Sequence, residues 1–146
     1  MTVRTMYGDL LNSEAPILVN TVNCVGVMGA GIALQFRQRF PHNYAVYRRA
    51  CDRKLLKPGG VLRVSDDGRT ILNVATKDHW RNPSQLVWIE QILHALYTTY
   101  AATDDMIAMP LLGCGLGGLN PETVKLLIHR FFSDVSVQVL VYQRSK

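Results

Sequence analysis

The sequence predicts an α/β fold, a largely parallel or mixed sheet covered on both faces by helices. Three observations predict it. Six short apolar runs have strand character, helical patterns lie between most of them, and 146 residues with 48% hydrophobic and 18% charged side chains match an ordinary globular domain that can bury its own core. One domain over residues 1–146 is therefore expected.

The strands are expected at residues 3–7, 16–21, 61–64, 70–74, 106–109 and 136–142, each a short run rich in Val, Ile, Leu, Met or Tyr. A helix over 31–39 would pack Ile32, Ala33, Phe36 and Phe40, and Pro41 breaks it from another over 43–53. Asn82-Pro83-Ser84-Gln85 reads as a third helix start, with Asn as cap, Pro in the first turn and Gln completing a capping box. Leu86, Ile89, Leu93, Leu96 and Tyr100 then share one face. Asn120-Pro121-Glu122 repeats the signal for a fourth helix, with Val124, Leu127, Ile128 and Phe131 at core-facing spacing.

Lys and Arg outnumber Asp and Glu by 16 to 11, a net charge of +5 that suits an anionic partner without naming it. Arg37, Arg39, Arg48, Arg49, Arg53, Lys54 and Lys57 are the densest part, read either as a solvated helix surface or as phosphate contacts. Cys24, Cys51 and Cys114 fit neither zinc nor CxxC spacing, so a reduced, cytoplasmic setting with no metal is expected. The start, MTVRTMYGDLLN, lacks a basic segment leading into a long apolar one, and no run of about 18 apolar residues occurs, so neither export nor a membrane span is expected.

Two glycine-rich loops follow strands and lead into helices. The first runs through Asn23-Cys24-Val25-Gly26-Val27-Met28-Gly29-Ala30-Gly31 and the second through Leu111-Leu112-Gly113-Cys114-Gly115-Leu116-Gly117-Gly118-Leu119. Either alone could be a tight turn; together, at strand ends, they favour a clasp for a diphosphate. Neither ends in Gly-Lys-Ser/Thr, which disfavours ATP or GTP hydrolysis, and the glycine order fails the dinucleotide fingerprint.

Gly8-Asp9-Leu10, Leu18-Val19-Asn20-Thr21-Val22-Asn23 and Pro110-Leu111-Leu112-Gly113-Cys114-Gly115-Leu116-Gly117-Gly118-Leu119 resemble, in order and spacing, the macrodomain pattern, and the match covers essentially the whole chain. Val25-Gly26-Val27-Met28-Gly29-Ala30-Gly31-Ile32-Ala33-Leu34-Gln35-Phe36 with Thr76-Lys77-Asp78-His79-Trp80-Arg81 is most similar to the DarG-type branch of that family. The resemblance implies a three-layer α/β/α fold with a central mixed sheet. It also implies an ADP-ribosyl glycohydrolase that frees thymidine in single-stranded DNA from ADP-ribose, as the antitoxin of a DNA-modifying toxin. ADP-ribose would be ligand and product, no cofactor would be needed, and a monomer is expected. Related enzymes acting on protein esters resemble this chain but place an aspartate where Gly118 stands, which favours the DNA branch. A module that binds ADP-ribose without cleaving it, and hydrolysis of ADP-ribosylated protein or of a small metabolite, are the other readings.

By the same resemblance Asp9 and Leu10 would meet adenine, and Asn20, Asn23, Val27, Met28, Gly29, Ala30 and Gly31 the ribose and diphosphate. Leu112, Gly113, Cys114, Gly115, Leu116, Gly117 and Gly118 would close the other side. Asn23 and Lys77 would be catalytic, and His79, Trp80 and Arg81 would meet DNA. Residue by residue the plainer readings also stand: Asp9 as a cap, Asn23 as a loop former, Lys77 as a solvated lysine at a strand end, and Trp80 as a partly buried aromatic.

Overall fold

The computed structural model describes residues 2–144. Its strands are β1 (Val3–Tyr7), β2 (Ile17–Val22), β3 (Val61–Asp66), β4 (Arg69–Ala75), β5 (Met106–Pro110) and β6 (Gln138–Gln143), and its helices α1 (Gly31–Arg39), α2 (Pro41–Asp52), α3 (Leu86–Tyr100) and α4 (Pro121–Phe132). The strands form one sheet in the order β1-β6-β5-β2-β4-β3, parallel throughout except for the antiparallel β3–β4 edge. That edge is a hairpin closed by Asp67-Gly68, both at positive φ (50° and 74°), the turn whose twist matches that of the strands it joins.

Side-chain alternation along the central strands builds the three layers. Ile17 and Val19 of β2 and Leu72 and Val74 of β4 pack on Ile89, Leu93 and Leu96 of α3 and Val124, Ile128 and Phe132 of α4. Leu18 and Ile71 turn the other way onto Phe36 and Phe40, and Val22 and Ala75 onto Tyr47 and Cys51 of α2. The expected three-layer architecture with a mixed sheet is the one observed.

The polar residues at the remaining positions on that second face, Asn20 and Asn73, are fully buried and meet Asn43 of α2. Asn73 Nδ2 donates to Asn43 Oδ1 (2.7 Å), while Asn43 Nδ2 and Asn20 Nδ2 both donate to Asn73 Oδ1 (3.1 Å each). Buried amides cost free energy unless bonded, so this triad fixes the register of α2 on the sheet.

Three expectations are corrected. The third helix begins at Leu86, because Asn82 spends its side chain on Asp78 Oδ1 (3.1 Å) in the preceding turn and caps nothing. The second begins at Pro41, which needs no N–H partner at a first turn, and its Asn43 N–H is capped from β3 by Asp66 Oδ2 (2.9 Å). On α4 it is Phe132, not Phe131, that is fully buried, while Phe131 lies half-covered against Tyr97.

Candidate functional site

All five mutually parallel strands, β1, β2, β4, β5 and β6, deliver a segment to one crevice at their carboxyl ends, the place where such sheets bind ligands. Gly8, Asp9 and Leu10 come from the end of β1, Val22 and Asn23 from β2, Thr76 and Lys77 from β4, Pro110 and Leu111 from β5, and Tyr142, Gln143 and Arg144 from β6. They enclose a cavity of about 1320 Å³, roomy enough for a dinucleotide-sized molecule. Antiparallel β3 points its end elsewhere and contributes nothing to the lining.

The first glycine loop is shaped by Asn23. Its Oδ1 accepts from Val25 N (3.1 Å) and Val27 N (3.4 Å), its Nδ2 donates to Val27 O (2.9 Å), and the Tyr47 hydroxyl is 2.8 Å from both Asn23 Oδ1 and Asn23 O. Burial pushes the Tyr47 phenol far up, so it stays a donor. One N–H of the Asn23 amide is left for a ligand. The loop ends at α1, whose N-cap Ala30 offers no side chain to the first-turn N–H groups, and Val27, Gly29, Ala30 and Gly31 line the cavity. Unpaired N–H groups at the positive end of a helix suit a phosphate.

The second loop is built differently. Asn120 caps α4 through Glu122 N (2.9 Å) and Thr123 N (3.2 Å), so that terminus is satisfied from within. The loop folds on itself instead: Leu119 N donates to Gly113 O (2.9 Å) and Ser84 N to Gly117 O (3.0 Å). At Gly117 a Cβ would collide with Gly113 O and Ser84 Oγ, so only glycine lets the chain turn back here. Gly113, Gly115, Leu116 and Gly117 face the cavity across from the first loop.

Lys77 is half-buried, and its Nζ donates to Trp80 O (3.2 Å), leaving further N–H bonds of the ammonium to the cavity it lines. Trp80, 48% exposed, lines the same cavity. Its ring carries the Arg81 guanidinium at 4.7 Å and the His79 ring at 5.2 Å. The turn is set by Asp78, whose carboxylate accepts from Asn82 Nδ2 and from His79 N (2.7 Å), bonds that hold it below the usual carboxylate range. Cys24 N donates to Asp78 O (3.2 Å), which ties this turn to the first loop.

Not every residue singled out in the sequence reaches the cavity. Asn20, Met28 and Leu112 have no exposed surface, so direct ligand contact by them is corrected: Asn20 belongs to the asparagine triad, Met28 fills the space beneath the first loop, and Leu112 is core. Cys114, Gly118, His79 and Arg81 lie outside the lining. Gly118 sits at φ +80° with open space around it, and Cys114 packs against the core. Asp9 lines the cavity and is also a cap, accepting Leu11 N (3.0 Å) with Oδ1 and keeping its second oxygen available. Thr21, Gln35, Thr76, Tyr142, Gln143 and Arg144 line the cavity without having been singled out. For Gln35 a signal existed, since it lies one helical turn after Gly31, whereas the end of β6 carries no glycine or motif of its own.

Cys24 and Cys114 are pushed up from 9.0 to about 11, mainly by burial, and Cys51 is raised for the same reason, so all three are neutral thiols near pH 7. Among the described residues, no three His, Cys, Asp or Glu side chains come together, and no helix is long and apolar enough to cross a membrane.

A crevice at parallel strand ends, flanked by one uncapped helix start and one glycine turn, is the arrangement in which α/β folds hold phosphate-bearing ligands. The chain belongs to the macro domain family, which it matches over residues 19–128. It is 41% identical over 144 residues to the DNA ADP-ribosyl glycohydrolase of Mycobacterium tuberculosis, covering 94% of this chain and 41% of that protein. The solved macrodomain of Mycobacterium tuberculosis DarG superposes with a TM-score of 0.91 at 38% identity, covering 98% of each chain. A Thermosipho africanus DNA ADP-ribosyl transferase–DNA ADP-ribosyl glycohydrolase fusion protein is 34% identical over 155 residues, covering 92% of this chain and 40% of that protein. A structure from the same organism, DarTG in complex with ADP-ribose, has a TM-score of 0.86 at 32% identity over 97% of this chain and 41% of that one. The chain thus spans about two fifths of the length of these curated relatives.

Proposed function

We propose that this protein hydrolyses the glycosidic bond between ADP-ribose and thymidine in single-stranded DNA, acting as an antitoxin to a DNA-modifying transferase. The observation that carries the reading is that Lys77 shares one cavity with both glycine loops and an exposed tryptophan. The similarity to proteins named DNA ADP-ribosyl glycohydrolase, one of them fused to a DNA ADP-ribosyl transferase, supports it.

In this reading adenine lies by Asp9 and Leu10, whose free carboxylate oxygen accepts from the adenine amino group. The diphosphate bridges the Gly29–Gly31 side and the Gly113–Gly117 side. The spare N–H of Asn23 fixes the distal ribose, so the anomeric carbon is presented beside Lys77 in one place. As the bond from that carbon to the thymine nitrogen breaks, its electron pair moves to the base and positive charge grows on the sugar. Lys77 donates a proton or hydrogen bond to the departing base, and the diphosphate stabilises the sugar cation. Water adds to the carbon. The proton it sheds goes to the lysine where the lysine has given its own to the base, or to the base nitrogen where the lysine has only hydrogen-bonded it, so that the ammonium is restored in either case. Outside the cavity, Trp80 stacks on a base and Arg81 and His79 meet the strand.

The test uses a thymidine-ADP-ribosylated single-stranded oligonucleotide, an ADP-ribosylated protein, and Lys77→Ala. Wild type should release ADP-ribose from DNA, and Lys77→Ala should lose about 100-fold or more of that rate while still binding free ADP-ribose, the usual size of a lost proton donor. Binding without any release by wild type would instead make the domain a reader.

A further inference from the structure

The turn after α2 carries two features that the cavity does not explain. Leu55 N donates to Ala50 O (2.9 Å) and Lys54 N to Cys51 O (3.0 Å), the bond pair of a Schellman helix end. Its left-handed position is usually glycine, yet Lys54 occupies it at φ 56°. The following residue normally packs back onto the helix, yet Leu55 is 70% exposed. A lysine in a strained conformation beside an uncovered leucine is a poor way to end a helix, and strain of this kind gathers at functional surfaces.

The segment after this turn runs to the strand end that carries Lys77. It is anchored there: Gly59 N donates to Ala75 O (2.8 Å) and Ala75 N to Gly60 O (2.9 Å), at the strand end two residues before the lysine. Leu56 is buried with Cys51, Met28 and Ala75, and a Cβ at Gly26 would lie 3.5 Å from Cys51 Cβ, so the first loop rests on the end of α2. The end of α2 and the segment after it carry the exposed cations Arg53, Lys54 and Lys57. The first loop resting on that end, itself tied to the Trp80 turn by the Cys24 N to Asp78 O bond, carries the exposed Val25 (43%) and Val27 (41%) next to Trp80 (48%). Among the described residues the one salt bridge joins Lys125 to Glu122 on α4, so none of these cations is matched by a carboxylate.

We infer that the rim running from Trp80 over the first loop to Lys54 and Lys57 is the track of the unmodified single-stranded DNA flanking the nucleotide in the cavity. Bases lie on the apolar side chains and phosphates on the cations. A single strand offers both chemistries side by side, whereas a duplex hides its base faces and an acidic peptide has none. The inference rests on the proposed glycohydrolase reading for the identity of the bound nucleotide.

The experiment pairs wild type with Lys54→Gly and with Lys54→Gly/Lys57→Ser. Binding of an unmodified fluorescent thymidine oligonucleotide of about ten nucleotides, within the usual site size, is followed by anisotropy over a range of salt. Release is followed from an ADP-ribosylated oligonucleotide and from ADP-ribosylated thymidine mononucleotide. The double variant should bind the oligonucleotide about tenfold more weakly, with a salt slope shallower by about 1.4 for two lost phosphate contacts. Its KM should rise for the oligonucleotide and stay unchanged for the mononucleotide. Lys54→Gly should weaken binding while raising the melting temperature, which separates lost contact from lost folding. Unchanged oligonucleotide affinity in the variants, or equal competition by polyglutamate, overturns the track. A wild type that releases nothing from either substrate overturns the glycohydrolase reading instead, and the oligonucleotide titration still decides the rim.

Discussion

Asn23 shows how one side chain builds a loop and still keeps a group for a ligand. Its carbonyl oxygen gathers two backbone N–H groups and the Tyr47 hydroxyl, and one of its two amide hydrogens goes to Val27 O. Tyr47→Phe keeps the ring and removes the hydroxyl, leaving the Asn23 acceptors one donor short. Urea unfolding should show a loss of about 1 kcal/mol, the ordinary worth of such a bond. Calorimetric titration should show weaker ADP-ribose binding, because the cavity-lining first loop has lost its tether to α2; unchanged affinity would detach Tyr47 from the site.

The two loops reach the same cavity by different means, so their glycines should respond differently to change. A methyl at Gly117 meets Ser84 Oγ and the backbone carbonyl of Gly113, and the carbonyl cannot withdraw cheaply. Gly117→Ala should cost about 2–3 kcal/mol by thermal or urea unfolding, within the range of overpacking. Gly115 has nothing within 4 Å of a Cβ, and Gly115→Ala should stay within about 0.5 kcal/mol in the same measurement, as open surface sites do. Equal losses at both would mean that the second loop is not held by its fold onto Ser84. Much at this scale was readable beforehand. The strands and four helices follow from apolar periodicity and from Asn120-Pro121, and the glycine loops from their positions after strands. The start of α3 was not, because the same Asn-Pro signal at Asn82 is consumed by Asp78, a partner fixed only once the loop after β4 turns.

Across the whole molecule, burial of the thiols and of Tyr47 links folding to alkaline pH. Cys24 and Cys114 rise from 9.0 to about 11, and Cys51 and Tyr47 also move up. Above pH 9 the unfolded chain sheds thiol protons that the fold retains, so these groups stabilise fully below pH 9, and that stability is lost as pH climbs toward 11. Melting temperature should therefore fall between pH 9 and 11, and alkylation of native protein should accelerate only toward the upper end of that range. Rapid alkylation of all three at pH 8 would contradict the burial.

By itself the sequence determined the α/β class, the succession of elements, the two glycine loops and the resemblance pointing to Lys77, since each is written in residues close together along the chain. The tertiary structure alone decided that Tyr142, Gln143 and Arg144 join Asp9 in one wall, because β6 inserts between β1 and β5. It also decided that Asn20 and Met28 turn inward and that the chain after α2 is hydrogen-bonded, through Gly59 and Gly60, to the end of β4 just before Lys77. Periodicity records which side of a strand is apolar, but which strand ends meet depends on sheet order, a property that no short stretch of chain contains.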